Sequence, residues 1–238
     1  MRNIFSFKFR TLAILLTLFV LAACVTKPPR TQPGADVETA PEIAHEIIQR
    51  YSIDPALSSI HIHAFPDGPL AKFGHNHLIA VNQLEGELSL SDPLEASQLS
   101  LSFLVAEMSV DDPALRKDAG EMFQALVPQK DRDGTRTNML SPNLLNGERY
   151  PRIAVQSHRI SGTWPNLTAE LSVSIAGTTQ RLTVDANLKR SGNGIEISSA
   201  FAVTHAEIGL QPFSAMLGAL KVRDTLDIEL HIRAQAVD

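Results

Sequence analysis

From residue 84 onward apolar and polar residues alternate one by one, and that period of two constrains this chain more than any other feature. Successive side chains of an extended strand point to opposite faces, so such a run buries one face and wets the other. Leu84, Gly86, Leu88 and Leu90 stand against Glu85, Glu87 and Ser89; Leu99, Leu101, Phe103 and Val105 stand mostly against serines, and Ile153 and Val155 follow. Leu167, Ala169, Leu171, Val173 and Ile175 alternate with Thr168, Glu170, Ser172 and Ser174. A turn at Gly177 leads to Leu182, Val184, Ala186 and Leu188, and a turn at Gly192, Asn193 and Gly194 leads to Ile195, Ile197, Phe201 and Val203. Leu226, Ile228, Leu230 and Ile232 close the series. Hairpin-linked antiparallel strands with one apolar face need a shared interior, which a sandwich or a barrel supplies, and only the barrel removes exposed edges. The expected fold class is all-β and antiparallel, a sandwich or an up-and-down barrel, with one or two short helices.

Helical interruptions are few. Asp112 reads as an N-cap with Pro113 at the first helical position, and Leu115, Ala119, Met122, Phe123 and Leu126 share a face before Pro128 stops the helix. A second helical stretch covers Thr135 to Leu140, and Phe213 to Leu220 reads as helix or loop. Glu42 to Tyr51 has helical spacing at Ile43, Ile47 and Ile48, although Tyr51 and Ile53 equally begin a first strand.

The N-terminus speaks of export. Arg2, Lys8 and Arg10 precede an apolar run, Thr11 to Val20, that is too short to cross a bilayer as a mature helix. Leu21-Ala22-Ala23-Cys24 then has the form of a bacterial lipobox and contains the only cysteine. Similarity to lipoprotein signals implies cleavage before Cys24, which then carries diacylglycerol and an N-acyl chain; several acyl chains anchor stably where one does not. The alternative is an ordinary secretory signal followed by an unpaired thiol. Val25, rather than Asp, after the cysteine favours the outer membrane, with the protein facing the periplasm. Residues 24–48 form a proline-rich tether, including Pro28, Pro29, Pro33 and Pro41, and residues 49–238 one domain. Removing residues 1–23 takes away three basic and no acidic residues, which moves the formal charge from −5 to −8 and excludes nucleic acid as a natural partner.

Several motifs occur in order along the domain. Gly74-His75-Asn76-His77-Leu78-Ile79, the Tyr150-Pro151 start of a strand, the hairpin at Gly177, Ile208-Gly209 and Leu217-Gly218 with Val222 resemble the YceI-like family of exported lipocalin-like proteins over roughly residues 50 to 235. The resemblance implies an all-β, extended antiparallel up-and-down barrel, lipocalin-like, around an apolar channel that holds a polyisoprenoid or quinone-like lipid, without catalysis or cofactor. It leaves a homodimer open. Under this reading the stripes become lining: Leu101, Phe103, Leu171, Val173, Phe201 and Ile228, with Phe73, His75 and His77 near one mouth and Phe213 and Met216 as further contacts. On residues alone, the same stripes are ordinary core. Low aromatic content, 5% with the single Trp164, suits a smooth bore.

Chemistry is otherwise sparse. His61, His63, His75 and His77 form two His-x-His pairs, and each pair can aim two imidazoles at one metal if it lies on a strand. Ile60, Ile62 and Ala64 mark the opposite face as the apolar one, which puts His61 and His63 toward solvent or a polar rim and argues against a metal site. His75 and His77 serve loop backbone or the polar head of a bound lipid. A metal or redox module built on the four histidines is the rival reading, and a packed adaptor lipoprotein the third. Phe65 and Pro66 stand where a metallo-β-lactamase-like site needs Asp and His. No nucleophile elbow, phosphate loop or dinucleotide fingerprint occurs. Asp131-Arg132-Asp133-Gly134 reads as a charged turn, since Leu140 stands where a calcium loop needs its bidentate Glu.

Overall fold

The computed structural model describes residues 46–237, so Cys24, the signal segment and nearly all of the tether lie outside it. Its strands are β1 (Glu46–Ile53), β2 (Ser59–Ala64), β3 (Pro66–Asp67), β4 (His77–Val81), β5 (Glu85–Asp92), β6 (Gln98–Leu104) and β7 (Ser109–Val110). After helices α1 (Pro113–Asp118) and α2 (Gln129–Leu140) come β8 (Arg152–Thr163), β9 (Asn166–Ile175), β10 (Thr178–Ser191), β11 (Gly194–Thr204), β12 (Ser214–Ala215), β13 (Leu220–Val222) and β14 (Thr225–Val237).

Eight of these close an antiparallel barrel in the order β1-β5-β6-β8-β9-β10-β11-β14, with β14 pairing back onto β1. The edge of β14 has two successive partners. Its C-terminal part, Ala234 to Val237, pairs with β1, whereas Asp227 to His231 pairs with β2. From β2 the ladder continues outward to β4 and β7. The wall is thus widened at one end and drawn tight at the other.

Alternation sets what fills it. Leu84, Leu88, Ile195, Ile232 and Ala234 are buried in one apolar cluster with Tyr51, Ile53, Leu101, Phe103 and Leu188. Each such aliphatic side chain contributes about 1.5–3 kcal/mol on leaving water. Eight strands enclose an interior that side chains fill or that leaves room for one small ligand. Two-residue turns join the long strands. Ile175 pairs with Thr178 across Ala176 and Gly177, which both have positive φ (47° and 80°), as a type I′ hairpin demands. Gly177 has a second constraint: a Cβ there would lie 2.4 Å from Cζ of Tyr150, so the ring that opens β8 packs on bare backbone.

Helical expectations need correction. Asp112 does cap α1, accepting from the backbone N–H of Ala114 at 2.8 Å and Leu115 at 3.2 Å, with Pro113 following. The helix ends at Asp118, because Gly120 adopts φ 90° and restarts the chain as a 3₁₀ turn. Phe123 is therefore buried while Met122 and Leu126 are exposed, and they share no helix face. Pro128 stops nothing: it is the N-cap of α2, and the Asp131–Gly134 cluster lies within that helix rather than in a turn. Residues 213–220 form strands around a 3₁₀ turn, and the segment ending at Ile53 is strand β1.

Candidate functional site

The two ends of the barrel differ. At the widened end Ile62, Ile79, Met139, Ile153, Ile175 and Leu226 bound a cavity of about 400 Å³ that opens between Phe73 and Phe213. That volume lies within the range of small-molecule sites. α2 lies over it, held by Arg132, which donates to the carbonyl of Asp111 at 3.3 Å, and by Arg136, which donates to the carbonyls of Ala106 and Met108.

Among the aliphatic walls stand a few imidazoles. His77 enters β4 on the inward face, opposite Ala64 of β2. Its Nδ1 lies 2.6 Å from Oδ2 of Asp111, which fixes Nδ1 as the protonated nitrogen and leaves Nε2 without a hydrogen bond among the described residues. Asp111 is 0% exposed and Arg116 5% exposed. Oδ1 of Asp111 accepts from the Leu78 N–H at 2.8 Å and from Arg116 Nη1 at 2.6 Å. Arg116 also donates to the carbonyls of Asn76 at 2.6 Å and Ala125 at 3.0 Å. Burial pushes the Asp111 carboxyl up, but the hydrogen bonds from His77 and Leu78 and the charges of His77 and Arg116 outweigh it and leave it below the usual carboxylate range. The result is an imidazole held rigidly at the cavity wall by a buried ion pair. His205, also buried, donates from Nδ1 to the Asp224 carbonyl at 2.7 Å and lines the same space, and His75 meets Asp131 of α2 at 3.4 Å by the mouth.

The two His-x-His pairs do not face each other. Inward residues of β2 are Ile60, Ile62 and Ala64, paired with Val81, Ile79 and His77, so His61 and His63 lie on the opposite face of the sheet from His77. Four-nitrogen coordination by these pairs is thereby ruled out by topology. His63 is not solvated as its strand position implies. The 3₁₀ turn covers it, its ring 4.8 Å from that of Phe123, with Nε2 buried and unpaired. Burial and the neighbouring His63 lower the His61 imidazole below its ordinary value, against the opposing pull of Glu229.

Of the residues expected to line a channel, Phe73, His75, His77 and Phe213 border the cavity. Leu101, Phe103 and Val173 are instead buried in the packed interior, Leu171 is half-buried, and Phe201 and Ile228 pack half-buried against the core. Met216 is exposed outside the mouth. The physical reason is the narrow eight-strand section, where stripes from facing walls fill the bore themselves. Sequence reasoning passed over Asp111, Arg116 and His205. One signal was available for His205, a polar residue on the inward parity of Phe201 and Val203; another was the doublet Asp111-Asp112, of which only one member can cap a helix.

BcnA of Burkholderia cenocepacia superimposes with a TM-score of 0.55 at 11% identity, over 76% of this chain and 98% of that one. A polyisoprenoid binding domain from Saccharophagus degradans superimposes with a TM-score of 0.52 at 12% identity, over 79% and 98%. At such identities these likenesses speak of fold. No curated protein matches the chain. A sequence model of the YceI-like domain matches residues 51–234, from β1 into β14 and across every wall of the cavity, and on that match the chain belongs to the YceI-like domain family.

Proposed function

We propose that the chain binds the apolar tail of a long lipid, polyisoprenoid or quinone-like, in the wide-end cavity and carries it without chemical change. The observation behind this reading is the cavity itself, an apolar space of about 400 Å³ kept open in a barrel whose other end is packed. At roughly 30 Å³ for a water-sized group, it takes about a dozen methylene-sized groups. Their burial at about 0.8 kcal/mol each amounts to roughly 10 kcal/mol before the costs of association. A longer tail runs out through the mouth. His77, aimed by Asp111 and left with Nε2 as an acceptor, can take a hydrogen bond from a hydroxyl of the ligand, with His75 and His205 nearby. Support comes from the family and from the polyisoprenoid binding domain that shares the fold. Carriage rather than catalysis is the role the family suggests.

In this reading Cys24 is the acylated first residue of the mature chain, and the tether holds the barrel off a membrane, the outer one favoured, on its periplasmic side. Native mass spectrometry of the purified full chain tests the ligand, with one bound lipid per chain expected. Protein that retains no lipid, binds none when offered a polyprenol, and carries a full equivalent of zinc or copper would transfer the site to the metal reading.

A further inference from the structure

The mouth of the cavity is built to touch something apolar. β12 and β13 pair as a hairpin, Ser214 with Lys221 and Ala215 with Leu220, whose tip is Met216-Leu217-Gly218. Beside it runs the segment ending at Phe73, joined through the Leu70 N–H to the Ala219 carbonyl at 2.9 Å. On this one surface Phe73 is 66%, Met216 69% and Leu217 109% exposed. Met216 and Leu217 also have φ values of 51° and 57°, in the left-handed region that large apolar residues rarely occupy. Glycine would hold such a turn with less strain, so two strained and solvated apolar side chains mark a working surface rather than a loop of convenience.

Cations also stand in the same place. Residues 68–82 and 208–223 contain no Asp or Glu but include Lys72, Lys221 and Arg223, within a chain whose net charge is −5. Lys221 and Arg223 pair with Asp67 and Asp227, each at 3.1 Å. Lys72, which has no carboxylate partner among the described residues, stands over the Phe73 ring at 5.1 Å and is the cation on which the charge match rests. Apolar tips with a cation one side-chain length behind them match the boundary between acyl chains and anionic headgroups.

We propose that this rim docks on a lipid bilayer bearing anionic headgroups, with Phe73, Met216 and Leu217 entering the interface and the mouth opening onto the acyl region. An apolar tail then passes between bilayer and cavity without crossing water. The proposal rests on the reading of the cavity as a lipid site.

The test uses the full chain, so that any N-terminal attachment is common to every arm. Leu217→Trp in a Trp164→Phe background places one indole at the tip. In the wild type Trp164 itself reports on the opposite end of the barrel, at the β8–β9 turn. Vesicles of phosphatidylcholine and phosphatidylglycerol with brominated acyl chains should quench the tip indole several-fold and shift its emission to the blue, while wild-type emission stays unchanged. Lys72→Glu added to the tip variant should weaken that quenching. If Leu217→Trp does not fold, Phe73→Trp gives the same reading. A tip indole quenched no more than Trp164 overturns the proposal, as does a blue shift that appears without vesicles and grows with protein concentration, which would make a second copy the occupant. Lipid retained in native mass spectra with no quenching removes docking alone; quenching with no bound lipid removes the carrier reading and leaves docking.

Discussion

Asp111→Asn isolates the electrostatic part of the site from its shape. The amide is nearly isosteric and tolerates the φ of 51° at this position, so the backbone has no reason to move. Its oxygen can still accept from the Leu78 N–H, 2.8 Å from Oδ1 in the native chain. What is lost is the counter-charge of Arg116, which is 5% exposed and bonded at 2.6 Å to Oδ1, and the acceptor for the Nδ1–H of His77, because the amide nitrogen takes the place of Oδ2. Leaving one member of a buried pair uncompensated costs about 3–5 kcal/mol. Arg116 keeps its bonds to the carbonyls of Asn76 and Ala125, so the low end, about 3 kcal/mol, is the expected loss. For a domain of this size that is roughly 6–12 °C in Tm. Urea denaturation with an unchanged m-value is the assay, and Asp111→Asn combined with Arg116→Met should recover at least half of the loss. A single variant that loses less than about 1 kcal/mol, or a double variant no better than the single, refutes the reasoning.

The same carboxyl sets an acid limit. Its value in the fold lies below its unfolded one, so its contribution is complete above about pH 4 and disappears as the pH falls through the folded value; the stability of the wild type should fall more steeply below pH 4 than that of Asp111→Asn, as read by denaturation at stepped pH. Leu217→Gly relieves positive φ at an exposed position and should raise stability by up to about 1 kcal/mol in denaturant titrations while weakening vesicle quenching of a Phe73→Trp reporter. Gly177→Ala drives a methyl group into the Tyr150 ring at φ 80° and should cost at least about 2 kcal/mol, measurable as a lowered denaturation midpoint.

Strands were legible wherever alternation coincided with a buried face, as in Leu84–Leu90 and Leu226–Ile232, since period and burial there express one constraint. α2 was half hidden. Only Met139 of its residues is buried, and a helix that shows the core so little carries no stripe to read. The hold of Asp111 on β4 was illegible because it is made across distance in sequence: Asp111 meets Leu78 and His77 from 33 and 34 residues away. Division of the barrel into packed and open halves could not be read from alternation, for Leu101 in the core and Ile175 at the cavity are the same kind of residue on the same kind of strand. It follows from β14 exchanging β1 for β2 along its length.

Binding of a polyprenol to two tryptophan variants tests the central claim most directly. Met139→Trp fills the cavity from α2, and Leu101→Trp overpacks the core outside it. Carriage in the wide-end cavity predicts that Met139→Trp folds but binds at least tenfold more weakly than wild type, while Leu101→Trp loses about 1–3 kcal/mol of stability yet binds normally at temperatures where it is folded. Normal binding by Met139→Trp, or binding lost only in Leu101→Trp, would contradict it.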